Sequence, residues 1–184
     1  WRDAKPLSED WLDGYRKAYQ ADHQVNRAVH DYVTPSDEPG KAQQVKPNQM
    51  QTAALNEIEA LRLAGKDRGL VVSATGKTYL GAFDVRAAKP KRMLFLAHRE
   101  QILQKSCQSF KNILGGDPDN FGLYTGGARD KNAKYLFASV QTLSREEHLY
   151  RFSPDDFDYI LIDEVHHAGA ESYKRIMDYF TPKF

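Results

Sequence analysis

The sequence is organised around residues 157–167, which read FDYILIDEVHH. The short apolar run at 159–162 is typical of a central strand in a parallel sheet that is covered on both faces. It ends in Asp163 and Glu164, and carboxylates at the carboxyl end of such a strand lie in the crevice where open α/β sheets bind ligands. Two adjacent acids repel each other, and a bound Mg²⁺ would relieve that repulsion. The alternative is a strand that ends in a solvated acidic turn.

The composition is that of one soluble globular domain. The 184 residues are 41% hydrophobic and 28% charged, and a formal net charge of +1 gives no global sign of a nucleic-acid partner. The single cysteine, Cys107, excludes an internal disulfide and is typical of a reducing compartment. No apolar run reaches membrane-spanning length, so we expect a cytoplasmic protein without a membrane partner. Because the chain begins at Trp1 without an initiator Met, we expect a domain excised from a longer protein.

Strands alternate with helices from residue 45 onwards. The predicted helices are 51–64, 77–88, 100–114 and 171–180, and the predicted strands are 70–73, 93–97, 122–124, 135–140 and 159–162, with a helical turn or helix at 141–150. This alternation predicts an α/β fold, a three-layer sandwich around a mostly parallel sheet. Residues 1–33, with aromatic residues at four-residue spacing, predict a small helical arm. Residues 34–44, which read TPSDEPGKAQQ, predict a linker.

A second decisive stretch is residues 71–80, which read VVSATGKTYL. A predicted strand runs into a turn of small residues, and Gly76-Lys77-Thr78 begins a helix. Small residues let backbone N–H groups approach a phosphate, and a helix N-terminus favours its negative charge. Lys77 can reach the terminal phosphates of a nucleotide, and the Thr78 hydroxyl can bind Mg²⁺. The P-loop pattern also needs a glycine five residues before Gly76, where this sequence has Val71.

The motifs ATGKT, AHRE, TGG, SVQT and DEVH occur in this order, and together they resemble the first RecA-like domain of a superfamily 2 helicase of the DExH (DEAD/DEAH-box) kind. More narrowly, residues 45–184 resemble the helicase subunits of type III restriction enzymes. The resemblance implies a RecA-like P-loop NTPase fold and a motor domain that couples ATP hydrolysis to movement on DNA or RNA. In that family the loop normally reads ATGTGKT, so this chain is two residues short. Either the loop is short and ATP binding is compromised, or two residues are missing from the sequence as written; we favour the second, because the other motifs are intact.

The resemblance also implies a role for each matching residue at the nucleotide site. Gln51 would read the adenine edge, although a polar residue at the start of a helix explains its position equally well. Asp163 would bind Mg²⁺, Glu164 would orient and deprotonate the attacking water, and His166 would couple the nucleotide state to a partner domain. The phosphates of ATP would be held by Thr75, Gly76, Lys77 and Thr78. Thr78 would also bind the metal.

Three further segments are implied to contact the backbone of one nucleic-acid strand, largely without regard to sequence. AHRE follows a strand and begins a helix, a place where a phosphate can be held, and the alternative for its arginine is a surface ion pair. TGG offers bare backbone N–H groups, and SVQT offers hydroxyl and amide groups at another strand end. The candidate residues are Arg99, Thr125, Gly126, Gly127, Gln141 and Thr142.

The resemblance implies partners that complete the motor. A second RecA-like domain of the same full-length chain would supply an arginine finger. The N-terminal stretch resembles the segment that in some relatives joins a phospholipase-D-like nuclease domain to the helicase, so a nuclease domain is implied on that side. DNA is favoured over RNA as the nucleic acid. We expect the fragment alone to hydrolyse ATP very slowly and not to unwind a duplex. The alternative is a nucleic-acid-binding module whose shortened loop no longer supports hydrolysis.

Overall fold

The computed structural model describes residues 45–66, 68–71, 76–163 and 171–183. Its helices are α1 (Gln49–Leu63), α2 (Lys77–Ala88), α3 (Glu100–Leu114), α4 (Val140–Leu143), α5 (Glu146–Leu149) and α6 (Glu171–Tyr179), with a 3₁₀ turn at Pro118–Asn120. Its strands are β1 (Met93–Ala97), β2 (Phe121–Tyr124), β3 (Tyr135–Ser139) and β4 (Tyr159–Ile162). The predicted arm at 1–33 and the predicted linker at 34–44 lie outside the described residues.

The four strands form one parallel sheet in the order β2-β3-β1-β4. Strand β1 lies in its interior, and Met93 pairs with Tyr135 of β3 on one side and with Tyr159 of β4 on the other. The predicted α/β class with a parallel sheet is therefore confirmed. Parallel pairing brings the carboxyl ends of all four strands to one edge.

Local signals set the element boundaries within one or two residues of the prediction. Helix α1 begins after Asn48, whose side chain caps it, and ends before Gly65, which has a positive φ of 71°. The strand predicted to reach residue 140 stops at Ser139, because the Ser139 side chain instead caps α4. The helical turn predicted at 141–150 is two short helices, α4 and α5.

The two faces of the sheet carry separate apolar cores, as expected for a three-layer sandwich. All five residues of β1 are buried. Leu94 and Leu96 belong to a core on the face covered by α4, α5 and α6. Met93, Phe95 and Ala97 belong to the core beneath α2 and α3. A strand buried on both faces has no polar alternation, which is why its sequence MLFLA reads as a continuous apolar run.

Three phenylalanines form the centre of the core beneath α3. The ring centroids of Phe95 and Phe110 lie 5.7 Å apart, and Phe137 lies 5.3 Å from each of them. All three side chains are fully buried. Full burial of one such ring contributes roughly 1.5–3 kcal/mol, so this cluster holds α3 firmly against β1 and β3.

The strand predicted at 70–73 is not confirmed. Leu70 and Val71 are not in a strand and are 69% and 38% exposed, and residues 72 and 73 lie outside the described residues. Both side chains line a groove of about 950 Å³ beside β4, but neither residue is paired with that strand. An apolar run becomes a strand only where its backbone finds a hydrogen-bonding ladder, and the sequence does not show whether one is available.

A buried carboxylate that the sequence did not reveal joins three elements. Asp84 of α2 is 3% exposed and accepts two hydrogen bonds from the Nη2 atom of Arg62 in α1, at 3.2 and 2.9 Å. It also accepts a hydrogen bond from the hydroxyl of Tyr159 in β4. Burial, with the adjacent Asp84 charge, raises the pKa of Tyr159 above its ordinary value, so the hydroxyl remains a donor. The sheet and both helices are thereby held as one unit.

We expect Gly122→Ala to destabilise the domain by about 1–3 kcal/mol. A Cβ at this position of β2 would lie 2.5 Å from the Cβ of Asp130 and 2.7 Å from the Cβ of Ala133. Neither atom is the end of a flexible side chain, so the backbone must shift. Urea unfolding measures the change, and Gly127→Ala is the control, because a Cβ there meets nothing within 4 Å. Equal stability of the two variants would contradict this packing.

Candidate functional site

The carboxyl edge of the sheet brings the predicted chemical segments together. His98 follows β1, Thr125 follows β2, Gln141 lies just beyond β3 and Asp163 follows β4. These residues are far apart in the sequence, and only the parallel register places them along one edge.

Asp163 is fixed at the end of β4 by the backbone. Its N–H donates to the C=O of Leu96 at 2.9 Å, which extends the pairing with β1 by one residue. The side chain is half-buried and lines the groove beside β4. Glu164 and His166, the other predicted catalytic residues of this segment, lie outside the described residues.

The start of α2 faces the same groove. Gly76 precedes the helix with a φ of 73°, a left-handed conformation that favours glycine, and its C=O accepts the N–H of Leu80 at 2.9 Å. Lys77 and Thr78 line the groove together with Asp163. The structure thus brings together the predicted phosphate-binding lysine and both predicted metal ligands. Thr75 lies outside the described residues, so the length of its loop stays a prediction.

A close contact between α2 and β4 explains this arrangement. A Cβ on Gly81 would lie only 2.6 Å from Cδ1 of Leu161, so the absence of a side chain lets the helix pack tightly on the strand. Lys77 and Thr78 lie about one helical turn before Gly81. The tight packing therefore brings the first turn of α2 close to the end of β4.

Gln51 has a structural role that the sequence left open. Its N–H donates to Asn48 Oδ1 at 2.8 Å, and its Oε1 accepts the N–H of Asn48 at 3.0 Å, a reciprocal cap at the start of α1. The other end of its amide faces α2, since Nε2 would lie 3.1 Å from a Cβ on Gly76. Gln51 therefore borders the predicted phosphate-binding turn while it caps its own helix.

On the predicted nucleic-acid side, Arg99 is the N-cap residue of α3. Its backbone C=O accepts the N–H groups of Ile102 and Leu103 at 3.0 and 3.2 Å, and its side chain is exposed without a capping hydrogen bond. An exposed guanidinium at a helix start is well placed to approach a phosphate.

The prediction that residues 125–127 offer bare N–H groups is wrong. Thr125 N–H donates to the C=O of Ala128 at 2.9 Å, and Gly127 N–H donates to Oγ1 of Thr125 at 3.3 Å. Gly126 N–H donates to Oε1 of Glu100 at 3.1 Å. A tight turn satisfies its own N–H groups where it can, and here a neighbouring carboxylate provides the remaining acceptor.

In the SVQT segment, Ser139 and Thr142 are buried, whereas Gln141 is exposed. The Ser139 hydroxyl donates to the Thr142 hydroxyl at 2.8 Å, and Thr142 N–H donates to Ser139 Oγ at 3.3 Å. Thr142 is 7% exposed, so its side chain holds the turn. Gln141 is exposed at the same edge, which leaves its amide accessible to a ligand.

A buried histidine that contacts Tyr124, the last residue of β2, was missed by sequence reasoning. Nδ1 of His148 lies 3.1 Å from the hydroxyl of Tyr124, and the ring is 6% exposed. Burial lowers the pKa of His148, and the positive charge of Arg129 lowers it further, against the opposite effect of Glu147. A histidine in the short helix EEHL carries no motif, and its place in α5, next to the buried Leu149 and after the exposed Glu146 and Glu147, is visible only in the structure.

Among the described residues, no three His, Cys, Asp or Glu side chains cluster closely enough to hold a metal ion by themselves. None of the helices in that part of the chain has the length and apolar character needed to cross a membrane.

Comparison with known proteins places these features in a family. Residues 44–184 match the family model described as type III restriction enzyme, res subunit. The chain is 32% identical over 154 residues to the type I restriction enzyme EcoAI endonuclease subunit of Escherichia coli, an alignment that covers 73% of this chain and 18% of that protein. It spans between 13% and 22% of the length of three curated relatives.

Two solved structures share the fold. The Pyrococcus furiosus Hef helicase domain matches with a TM-score of 0.59 and 19% identity, over 74% of this chain and 31% of that one. A nuclease-deletion mutant of the Type ISP restriction-modification enzyme LlaGI, in complex with a DNA substrate mimic, matches with a TM-score of 0.55 and 18% identity, over 72% of this chain and 16% of that one. At this level of identity the likeness concerns the fold.

We expect the domain to lose stability as the pH falls from about 7.5 to about 5.5, through the ordinary histidine pKa near 6.5, partly because of His148. Its pKa is lower in the folded protein, so the unfolded chain takes up a proton that the folded chain does not. His148→Asn should be less stable at neutral pH but lose less stability on acidification. Chemical unfolding at both pH values measures this, with His98→Asn, at an exposed position, as the control. The same pH dependence in His148→Asn and the wild type would refute the assignment.

Proposed function

The chain belongs to the type III restriction enzyme res-subunit family, which residues 44–184 match, and from that premise we propose that it is the first RecA-like motor domain of an ATP-dependent helicase or translocase. One observation carries the proposal: Lys77 and Thr78 at the start of α2 and Asp163 at the end of β4 line a single groove. A strand-end acid opposite a helix start that bears lysine and a hydroxyl is the arrangement of a nucleotide phosphate site.

In this site the nucleotide would lie across the first turn of α2. Lys77, an exposed cation there, would neutralise the terminal phosphates, and the N–H groups of the first helical turn would donate to them. Gln51 borders the turn at Gly76, and its Nε2 would donate to the adenine while Oε1 keeps the cap of α1. ATP is therefore the proposed cofactor.

The donor set also fits Mg²⁺. Thr78 and Asp163 present oxygen ligands to the same groove, and Mg²⁺ is held in such sites by one or two protein oxygens together with phosphates and water. When bound, Mg²⁺ neutralises charge that develops on the phosphates. Next to Asp163 in the sequence, Glu164 would orient and deprotonate the attacking water, and His166 would link the nucleotide state to the partner domain.

The nucleic-acid strand would lie along the other strand ends of the same edge. Arg99 and Gln141 are exposed there, and the turn that contains Gly126 and Gly127, after the outer strand β2, is exposed as well. Contacts of this kind go to the backbone and carry little sequence information. Thr125 and Thr142 are buried, so we assign them to shaping the surface. The restriction enzymes among its relatives and structural neighbours support DNA as the nucleic acid.

Further domains would complete the activity. The described domain forms one wall of the proposed ATP site, and a second RecA-like domain of the full-length protein would close it with an arginine. A nuclease domain on the N-terminal side and a cytoplasmic location are parts of the same proposal. Without the second domain, ATP would be bound but hydrolysed very slowly.

We expect Lys77→Ala to weaken the binding of a fluorescent ATP analogue by roughly tenfold or more, because it removes a charge-assisted contact with the phosphates. Lys174→Ala is the matched control, since Lys174 is an exposed lysine on α6, away from the groove lining. Both variants should keep the wild-type melting temperature. Equal affinity in wild type and Lys77→Ala would contradict the site.

The same titration separates the proposal from its alternative. If the wild-type chain binds no nucleotide but does bind DNA, the nucleic-acid-binding module with a shortened loop is the better description. If it binds both, the motor-domain assignment stands, and the length of the loop at 72–75 is compatible with nucleotide binding.

A further inference from the structure

One contact joins two of the segments that the proposed function assigns to nucleic acid. The carboxylate of Glu100, at the first position of α3, accepts the N–H of Gly126 at 3.1 Å. The two residues are 26 positions apart in the sequence, and Glu100 directly follows Arg99. A negative charge therefore lies on the surface where a phosphate is expected to bind.

The turn at 125–127 has no N–H to offer a phosphate in this state. Thr125 N–H donates to the C=O of Ala128, Gly127 N–H donates to Oγ1 of Thr125, and Gly126 N–H donates to Glu100. A phosphate oxygen can gain an N–H here only if it replaces one of these acceptors.

Glu100 is the acceptor that can be replaced. Thr125 is buried and its N–H is held by the backbone of Ala128, whereas Glu100 and Gly126 are both exposed. A glutamate side chain can leave by rotation about its own bonds, without a change in the backbone of the turn. Beside it, a Cβ on Gly127 would meet nothing within 4 Å, so there is room for a ligand.

We propose that the Glu100 carboxylate occupies a phosphate position of the nucleic-acid surface, and that nucleic acid binds the turn by exchanging a phosphate oxygen for Glu100 at Gly126 N–H. Both groups are anionic oxygen acceptors, so one N–H serves either of them, and their mutual repulsion prevents both from staying. The inference rests on the proposed function, because it requires that nucleic acid contacts this turn.

If this exchange occurs, the negative charge of Glu100 weakens the binding of nucleic acid. Removing that charge should therefore raise the affinity for nucleic acid. Glu100→Gln keeps an amide oxygen that can accept the same N–H but removes the charge. A fluorescent single-stranded DNA oligonucleotide should bind this variant roughly 3- to 10-fold more tightly at low salt, the size expected for removing one repulsive unit charge near a protein surface. The gain should shrink as the salt concentration rises.

Glu57→Gln is the matched control, because it makes the same charge change at an exposed position on α1. It should alter DNA affinity by less than about twofold, since α1 carries none of the residues assigned to nucleic acid and salt screens exposed charges. Arg99→Ala should weaken DNA binding and reports independently whether DNA uses this surface. All variants are compared in the complete 184-residue chain and checked for an unchanged melting temperature.

A spectroscopic measurement follows the exchange directly. The amide ¹⁵N and ¹H resonances of Gly126 should shift in Glu100→Gln without DNA, and they should shift in the wild type when DNA is added. Wild-type DNA binding with an unchanged or weaker affinity in Glu100→Gln would overturn the exchange but leave the proposed function intact. An absence of DNA binding by the wild type and all variants would overturn both.

Discussion

The parallel pairing of β1 with β4 is the constraint on which the candidate nucleotide site depends. Its register places Ile162 level with Leu96, and the bond from Asp163 N–H to the C=O of Leu96 carries the pairing to the edge of the sheet. Because Gly81 lets α2 pack closely on Leu161 of β4, the first turn of α2 is brought to the same edge. The chemistry of the site thus follows from one ladder and one close helix–strand contact.

Polar contacts then hold the surrounding elements in place. Asp84 ties α1 and α2 to the start of β4, so α1, which carries Gln51 at its other end, is fixed relative to the strand that bears Asp163. Along the rest of the edge, Glu100 accepts the N–H of Gly126 in an exposed turn, and Ser139 accepts the N–H of Thr142 in a buried one. These N–H groups already have acceptors within the protein, and under the proposed exchange the N–H of Gly126 would be released from Glu100 when nucleic acid binds.

The sequence predicts best what depends on local pattern. The run at 93–97 is a strand buried at all five positions, as expected for a continuous apolar run in a sheet covered on both faces. The run at 159–162 is also a strand, but among the described residues it is the outer strand of the sheet, and only its first residue, Tyr159, is buried. The groove residues Lys77 and Asp163 were identified because their motifs are contiguous. The wrong or unconfirmed predictions concern segments whose hydrogen-bonding partners lie far away in the sequence. Leu70 and Val71 have strand-like side chains without a ladder, and the acceptor of Gly126 comes from a residue 26 positions away.

A double-mutant cycle on Mn²⁺ binding tests most directly the claim that α2 and β4 form one nucleotide–metal site. Mn²⁺ stands in for Mg²⁺, and its affinity in the presence of ADP is measured by electron paramagnetic resonance for the wild type, Thr78→Val, Asp163→Asn and the double variant. If both oxygens serve one ion, each substitution weakens binding and the two free-energy losses are not additive. Undiminished Mn²⁺ affinity in either single variant, or strictly additive losses, would contradict the account.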